Sequence, residues 1–249
     1  MQKKKILLPL LLLAPAFLAH QAYADEQVAT EPSQEVAAVT SAQEGNVPDG
    51  AIDTSAQGKE SASGQQNDLL EANIIHTNDV HGRIVEEKGV IGDAKLAAVI
   101  EEERKNNPST LVVDAGDAFQ GLPISNSSKG EERAKLLNEM GYDAMAVGNH
   151  EFDFGLDEAK KYKEILNFPL LSSNTYVNGA RLFEASTIVD KDKNVVGDEF
   201  VVIGVTTPET ATKTHPKNVQ GVTFKDPISE VNSVIDEVEA RAAAEGKTY

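Results

Sequence analysis

The sequence predicts an α/β fold around a largely parallel sheet, and two observations carry that expectation. Between residues 72 and 173, short apolar runs rich in β-branched residues alternate with stretches whose apolar positions recur at helical spacing. The runs are also continuous rather than alternating apolar with polar, as strands covered on both faces are. Alternation of this kind is the pattern of βαβ units, with helices packed on a buried sheet.

The elements follow in order. Residues 72–77 read as a buried strand that ends in a polar cluster. Residues 93–105 place Leu96, Val99 and Ile100 on one helical face, and Asn106, Asn107 and Pro108 stop the run. A second strand over 110–113 is followed by a helix over 129–140, with Ala134, Leu137 and Met140 on one face and Gly141 closing it. Residues 144–147 make a third strand, 156–166 a third helix and 170–173 a fourth strand. Residues 186–189 and 199–205 then flank the turn-prone Asp190-Lys191-Asp192-Lys193-Asn194, which predicts an antiparallel hairpin. Asp226-Pro227 opens a last helix, with a side-chain acceptor at the cap and proline in the first turn. Its buried stripe is expected to be Ile228, Val231, Ile235, Val238 and Ala242. Gly246-Lys247-Thr248-Tyr249 reads as the start of a further strand, so the chain is expected to be the front of a longer protein.

Ahead of this region lie two segments that are not core-forming. Residues 1–24 begin with Lys3, Lys4 and Lys5, pass through an apolar stretch over 6–19 and end on Ala22-Tyr23-Ala24. That is the layout of a secretory signal peptide cleaved near Ala24; the competing reading is an uncleaved anchor, for which the apolar run is short. Residues 25–68 contain no aromatic residue, leucine or methionine, and nine acids against one lysine. Such a segment cannot bury enough apolar surface to offset its ordering entropy and is expected to be a disordered acidic linker. Residues 69–249 hold the folded part. The formal net charge of −17 disfavours electrostatic binding to a nucleic acid polymer or an anionic membrane face. An acidic protein still binds phosphate where metal ions supply local positive charge. With no cysteine in the chain, any metal must be held by oxygen and imidazole.

Three polar clusters carry the chemistry, each just after an expected parallel strand: His-Thr-Asn-Asp-Val-His-Gly-Arg (76–83), Asp-Ala-Gly-Asp-Ala-Phe-Gln-Gly (114–121) and Gly-Asn-His-Glu-Phe-Asp-Phe-Gly (148–155). Ligands of open α/β sheets gather outside the carboxyl ends of the strands, so the three clusters converge on one rim. Asp79 and His81 are two apart, and an extended backbone would turn both toward one ion. Asp117 can place one oxygen on each of two ions, and the Asn149 carbonyl can ligate the second. This mix suits Zn, Mn or Fe better than Cu(I), which prefers sulfur.

The ordered triple resembles the signatures of the calcineurin-like metallophosphoesterase superfamily, Asp-x-His, Gly-Asp and Gly-Asn-His-Asp/Glu, and the wording around it is similar to the 5′-nucleotidase family over residues 74–176. The resemblance implies a layered α/β/β/α sandwich, here incomplete at the C-terminus. It implies two divalent metal ions (Zn, Mn or similar), Asp79 and His81 on one, Asn149 on the other and Asp117 bridging. It further implies in-line attack on phosphorus by a hydroxide that the ions hold. His150 would stabilise the transition state or aid the leaving oxygen, with Asp153 orienting its ring. The family's later ligands, a strand-end His and a Gly-His-x-His motif, have no match among His20, His76, His81, His150 and His215.

The functional expectation is an exported or cell-surface metal-dependent hydrolase, most simply a 5′-nucleotidase acting on a nucleotide substrate. A 2′,3′-cyclic-nucleotide phosphodiesterase or nucleotide-sugar hydrolase would share these residues, and attachment to the cell would run through a segment beyond Tyr249. If the chain ends at Tyr249, a non-catalytic surface binding protein is the competing class, and little or no turnover is expected from residues 1–249 alone. Blander readings stand beside the individual residues. Asp79, His81 and Asp117 are residue types that turns favour. His150 competes with a loop histidine packed on Phe152, and Asp153 with a helix cap. Arg83 meets either phosphate or a carboxylate; His76 is expected in the core or behind the ligands; Asp114 and Glu151 are expected to shape the loops; His215 is expected on the surface.

Overall fold

The computed structural model describes residues 72–191, 199–247 and 249, together with two short strands, β1 (Leu10–Leu13) and β2 (Ala37–Ala38). Apart from those two strands, the expected leader over 1–24 and linker over 25–68 lie outside the described residues.

The first sheet has the order β2-β3-β4-β5-β6, with β3 (Ile74–Thr77), β4 (Leu111–Asp114), β5 (Ala144–Ala146) and β6 (Leu170–Leu171) all parallel. Helices α1 (Asp93–Asn106), α3 (Glu131–Met140) and α4 (Leu156–Ile165) cross between them, as the alternation predicts; a short α2 (Pro123–Asn126) precedes α3. Gly141 takes φ 73° beyond α3, the left-handed C-terminal stop for which glycine has no steric penalty.

The second sheet pairs β9 (Ser186–Asp190) antiparallel with β10 (Glu199–Val205), the expected hairpin, and β1 lies parallel on the other side of β10. A small antiparallel sheet of β7 (Thr175–Val177), β8 (Ala180–Arg181) and β11 (Val222–Phe224) was not expected from sequence. The short α5 (Thr210–Lys213) lies between β10 and β11, and α6 (Pro227–Ala244) closes the domain. The Asp226 carboxylate accepts from the Ser229 amide at 2.8 Å, as the cap reading requires.

Period-2 alternation along the strands builds the layers. Val112 and Met145 turn to one face and pack with Leu96, Ile100, Leu137 and Tyr162 of the helices. Leu111, Val113, Ala144 and Ala146 turn to the other face, where they meet Leu171 and Val202 between the two sheets. Along β10, Val201 and Ile203 face outward onto Val234 and Val238 of α6. The order is therefore helix, sheet, sheet, helix. The sheets approach so closely that a Cβ on Gly204 would collide with Leu171.

Two expected stripe residues are not in the core. Ile228 is 72% exposed and Val99 39% exposed. In α6 the stripe is completed by Val234 instead, because Ile228 sits in the first turn, short of the sheet that Val234, Val238 and Ala242 cover.

Candidate metal centre

The clusters do meet at one rim, but not through extended backbone. Asp79, His81 and Asp117 have φ of 51°, 49° and 59°, in the left-handed region that L-residues seldom enter. The expectation that simple strand alternation aligns Asp79 with His81 is thus corrected. Each side chain instead leaves a tight loop, and the loops are zipped to one another: Asp79 N–H donates to Gly116 O, His81 N–H to Asp117 O, both at 3.0 Å, and Gly82 N–H to Ala118 O at 3.1 Å. These bonds carry the β3–β4 pairing past the strand ends. Gly148 is needed where the third loop joins, since a Cβ there would strike the Asp117 carboxylate.

Each histidine is tethered by one nitrogen. His81 Nδ1 lies 3.0 Å from the Gln120 carbonyl, which can only accept, so Nδ1 carries the proton and Nε2 keeps its lone pair. That Nε2 lies 3.9 Å from Asp79 Oδ1. His150 Nδ1 lies 2.6 Å from Asp153 Oδ2, and the His81 and His150 rings stand edge to face with centroids 5.0 Å apart. Ligand atoms of His81, Asp117 and His150 all fall within 4.8 Å of one another. His150, expected only in catalysis, is thus also within reach of a cation. Asn149 lies beside this group, half-buried, with no side-chain hydrogen bond to it among the described residues. The Asn78 amide donates to Asp79 Oδ2 at 2.9 Å.

Electrostatics follow from burial and pairing. The hydrogen bond to Asp153 raises the His150 pKa to about 9, so the ring is protonated at neutral pH in the metal-free chain. Burial pushes Asp153 up, but its hydrogen bonds to His150 and Thr214 prevail and hold it below the usual carboxylate range. Burial raises Asp117, against the His150 amide and the two imidazoles. Burial also lifts Asp114 to about 6; its carboxylate accepts from Thr77 Oγ1 and the Gly116 amide, at 2.5 and 2.8 Å. Glu151 is fully buried and pushed up to about 8 by burial and by the Asp117 charge.

Asp153 does not cap α4, whose N-cap is Gly155 without a side-chain bond; it serves His150. Arg83 meets a carboxylate, Glu87, at 3.2 Å. His76 is half-buried and outside the cluster, and His215 is an exposed loop residue whose Nδ1 accepts from the Lys217 amide. Sequence reading missed what lies beneath Asp153. Thr214 Oγ1 donates to Asp153 Oδ1 at 2.6 Å, and the Asn218 amide donates to the Asp153 carbonyl at 2.8 Å. No local signal in 214–218 announces a partner some sixty residues away. It also missed the Ser172–Asn174–Thr206 network, in which Thr206 Oγ1 donates to Val147 O at 2.8 Å and ties the second sheet to the third loop.

The donors fit a hard or borderline divalent cation: carboxylate and amide oxygens with one free imidazole nitrogen whose orientation a carbonyl fixes. Comparison with known proteins agrees. The family model of calcineurin-like phosphoesterases matches residues 72–246, and the chain belongs to that family. More particularly, it is 40% identical over 175 residues to a 5′-nucleotidase of Vibrio cholerae, covering 68% of this chain and 31% of that protein. It is 36% identical over 183 residues to the 5′-nucleotidase of Bos taurus, covering 68% of this chain and 31% of the relative. The chain therefore spans about a third of the length of these relatives. Among solved structures, a 5′-nucleotidase precursor from Thermus thermophilus superposes with TM-score 0.58 at 29% identity, over 71% of this chain and 35% of that one. The calcineurin-like phosphoesterase YfkN from Bacillus subtilis gives 0.57 at 28%, over 71% and 59%.

Proposed function

We propose that this chain supplies the front of a two-metal site for hydrolysis of nucleotide phosphoesters, releasing phosphate from a nucleoside 5′-monophosphate, and that it acts after export. The observation that carries the reading is the meeting of ligand atoms of His81, Asp117 and His150 within 4.8 Å of one another, with Asp79 beside His81 and His150 held by Asp153. The 5′-nucleotidase relatives favour a nucleotide over other phosphoesters.

Asp79 and His81 would hold one ion through Oδ1 and Nε2, Asn149 the second through its amide oxygen, with Asp117 between them. Bound divalent ions lower the pKa of water and offset phosphoryl charge. His150 keeps a proton on Nε2, directed away from Asp153, where it can stabilise a phosphoryl oxygen and pass the proton to the departing alkoxide. Asp153 holds the Nδ1 proton and so fixes the ring. Export is supported by the residue order of 1–24, and mass analysis of secreted protein should find Asp25 at the N-terminus. Among the described residues no helix is long and apolar enough to cross a membrane.

The activity test is phosphate release from AMP by the product of the complete reading frame, before and after chelation. Loss on chelation, recovery with Mn or Zn, and loss of at least ~10²-fold in Asp117→Ala are expected. Activity that survives both metal removal and Asp117→Ala refutes the proposal.

A further inference from the structure

We propose that Glu151 is a positioning residue: its carboxylate, carried on the loop that holds Asn149, fastens that loop to the one that carries Asp117. The inference rests on the reading that those two residues hold metal ions. Glu151 Oε2 accepts from two backbone amides of different loops, Asp117 N–H and Gly148 N–H, each at 2.8 Å. Its Oε1 accepts from Ala118 N–H at 2.9 Å. A second strap runs beside it, the His150 amide donating to Asp117 Oδ1 at 2.8 Å.

Glu151 is 0% exposed, and among the described residues no lysine or arginine pairs with it. A buried carboxylate without a cation is costly unless its hydrogen bonds are irreplaceable. Here an apolar side chain would leave three buried N–H groups unsatisfied at ~1–3 kcal/mol each. Both oxygens are turned to backbone amides, so Glu151 is not itself a ligand. Among the described residues the loops after β4 and β5 have no backbone hydrogen bond to each other at this depth, and are joined only through this side chain and Asp117. Glu151 therefore sets the separation of the bridging ligand from Asn149. Oε2 alone touches both loops, and Oε1 adds a second bond across to Ala118, so the role belongs to the reach of the side chain and its acceptor at Oε2, not to the negative charge.

The distinction can be measured. Co2+ would be titrated into the metal-free chain and followed by its visible ligand-field absorption, in the parent and in Glu151→Gln, Glu151→Asp, Glu151→Ala and Asp117→Ala. Glutamine can keep its carbonyl at the Oε2 position and with it the Asp117 and Gly148 bonds, while its NH2 faces the Ala118 N–H without a bond; with both Oε2 contacts kept, its Co2+ affinity should stay within about threefold of the parent, with the same spectrum. Glu151→Asp keeps the charge but falls short by a methylene. It and Glu151→Ala should lose roughly 10–100-fold in affinity and show a shifted spectrum, while far-UV circular dichroism stays that of the folded parent. If Glu151→Ala does not fold, the Gln and Asp variants decide: Gln near the parent with Asp impaired supports the inference, and any other order overturns it. Parental affinity in Asp and Ala alike also overturns it. Asp117→Ala separates the two layers of the argument. If it loses Co2+ while every Glu151 variant binds as the parent does, only the positioning role falls. If it binds Co2+ as the parent does, or if the parent takes up none, the metal reading falls and this inference with it.

Discussion

Backbone conformation at the rim should reverse the usual ranking of alanine and glycine. Asp79 has φ 51°, and Asp79→Ala and Asp79→Gly lose the same side-chain groups, including the bond from Asn78. Their difference in stability therefore isolates the backbone. A left-handed conformation costs a residue with a Cβ ~1–2 kcal/mol. Glycine escapes that cost but gives up ~0.5–1 kcal/mol of unfolded-state freedom. The glycine variant of the metal-free protein should therefore be the more stable by about 0.5–1 kcal/mol, or ~2–4 °C per kcal/mol in Tm for a domain of this size. Val99, half-exposed inside α1, provides the opposite case. There Val99→Gly should be less stable than Val99→Ala by ~1 kcal/mol. Urea unfolding of the four variants in chelator gives both differences. Asp79→Ala matching or exceeding Asp79→Gly, with the expected order at Val99, would refute the claim that the ligand loops are held in strained backbone.

The remaining predictions concern charge and packing. In the metal-free chain, His150 has a folded-state pKa of about 9 against an ordinary 6.5, because of its bond to Asp153. A raised pKa stabilises the fold fully below 6.5 and loses that contribution as pH rises through 9. Asp153→Asn should therefore destabilise by about 1–2 kcal/mol at pH 6, after screening of a partly exposed pair, and by little at pH 10. Histidine NMR should show the His150 midpoint falling toward 6.5; an unmoved midpoint would show that Asp153 is not its partner. In α6, Val234→Ala should cost ~2 kcal/mol and Ile228→Ala less than ~0.5, read from urea midpoints, although the two residues share one helical pattern in the sequence.

Why some of this was legible and some not has a physical answer. The parallel sheet could be read because three of its strands, among them Leu111–Asp114, bury every residue, and such runs stand out between amphipathic helices. The rim could be read because Asp79, Asp117 and Asn149 each follow a strand, and strand ends of one parallel sheet lie side by side. The path of the backbone through the rim could not: residues two apart fit an extended chain and a left-handed turn equally well. The sheet of β7, β8 and β11 was hidden because Thr175–Val177 and Val222–Phe224 are three-residue strands whose pairing is set by tertiary contact. Val99 and Ile228 were assigned inward because periodicity fixes a face but not how far the covering sheet extends. The contact of Thr214 with Asp153 depends on a loop crossing that no local pattern encodes.

The same facts explain why the rim needs so much support from backbone. Three of the site's residues sit in left-handed conformations, Asp117 is buried beside Glu151 and Asp114, and the chain as a whole is acidic. Backbone strain acts to open the loops at a cost of order 1–3 kcal/mol per residue, and burial of neighbouring carboxyl groups adds to it. Against them stand the β3–β4 ladder continued into the loops, the Glu151 and His150 bonds across them, and the Thr206 bond from the second sheet. Apart from the His150 amide bond, which ends on Asp117 Oδ1, none of these depends on the identity of a ligand side chain, because each ends on or starts from a backbone amide or carbonyl and involves no ligand side chain. The arrangement is preformed by the scaffold, and the residues that would face the ions are left free to be chosen for chemistry rather than for stability.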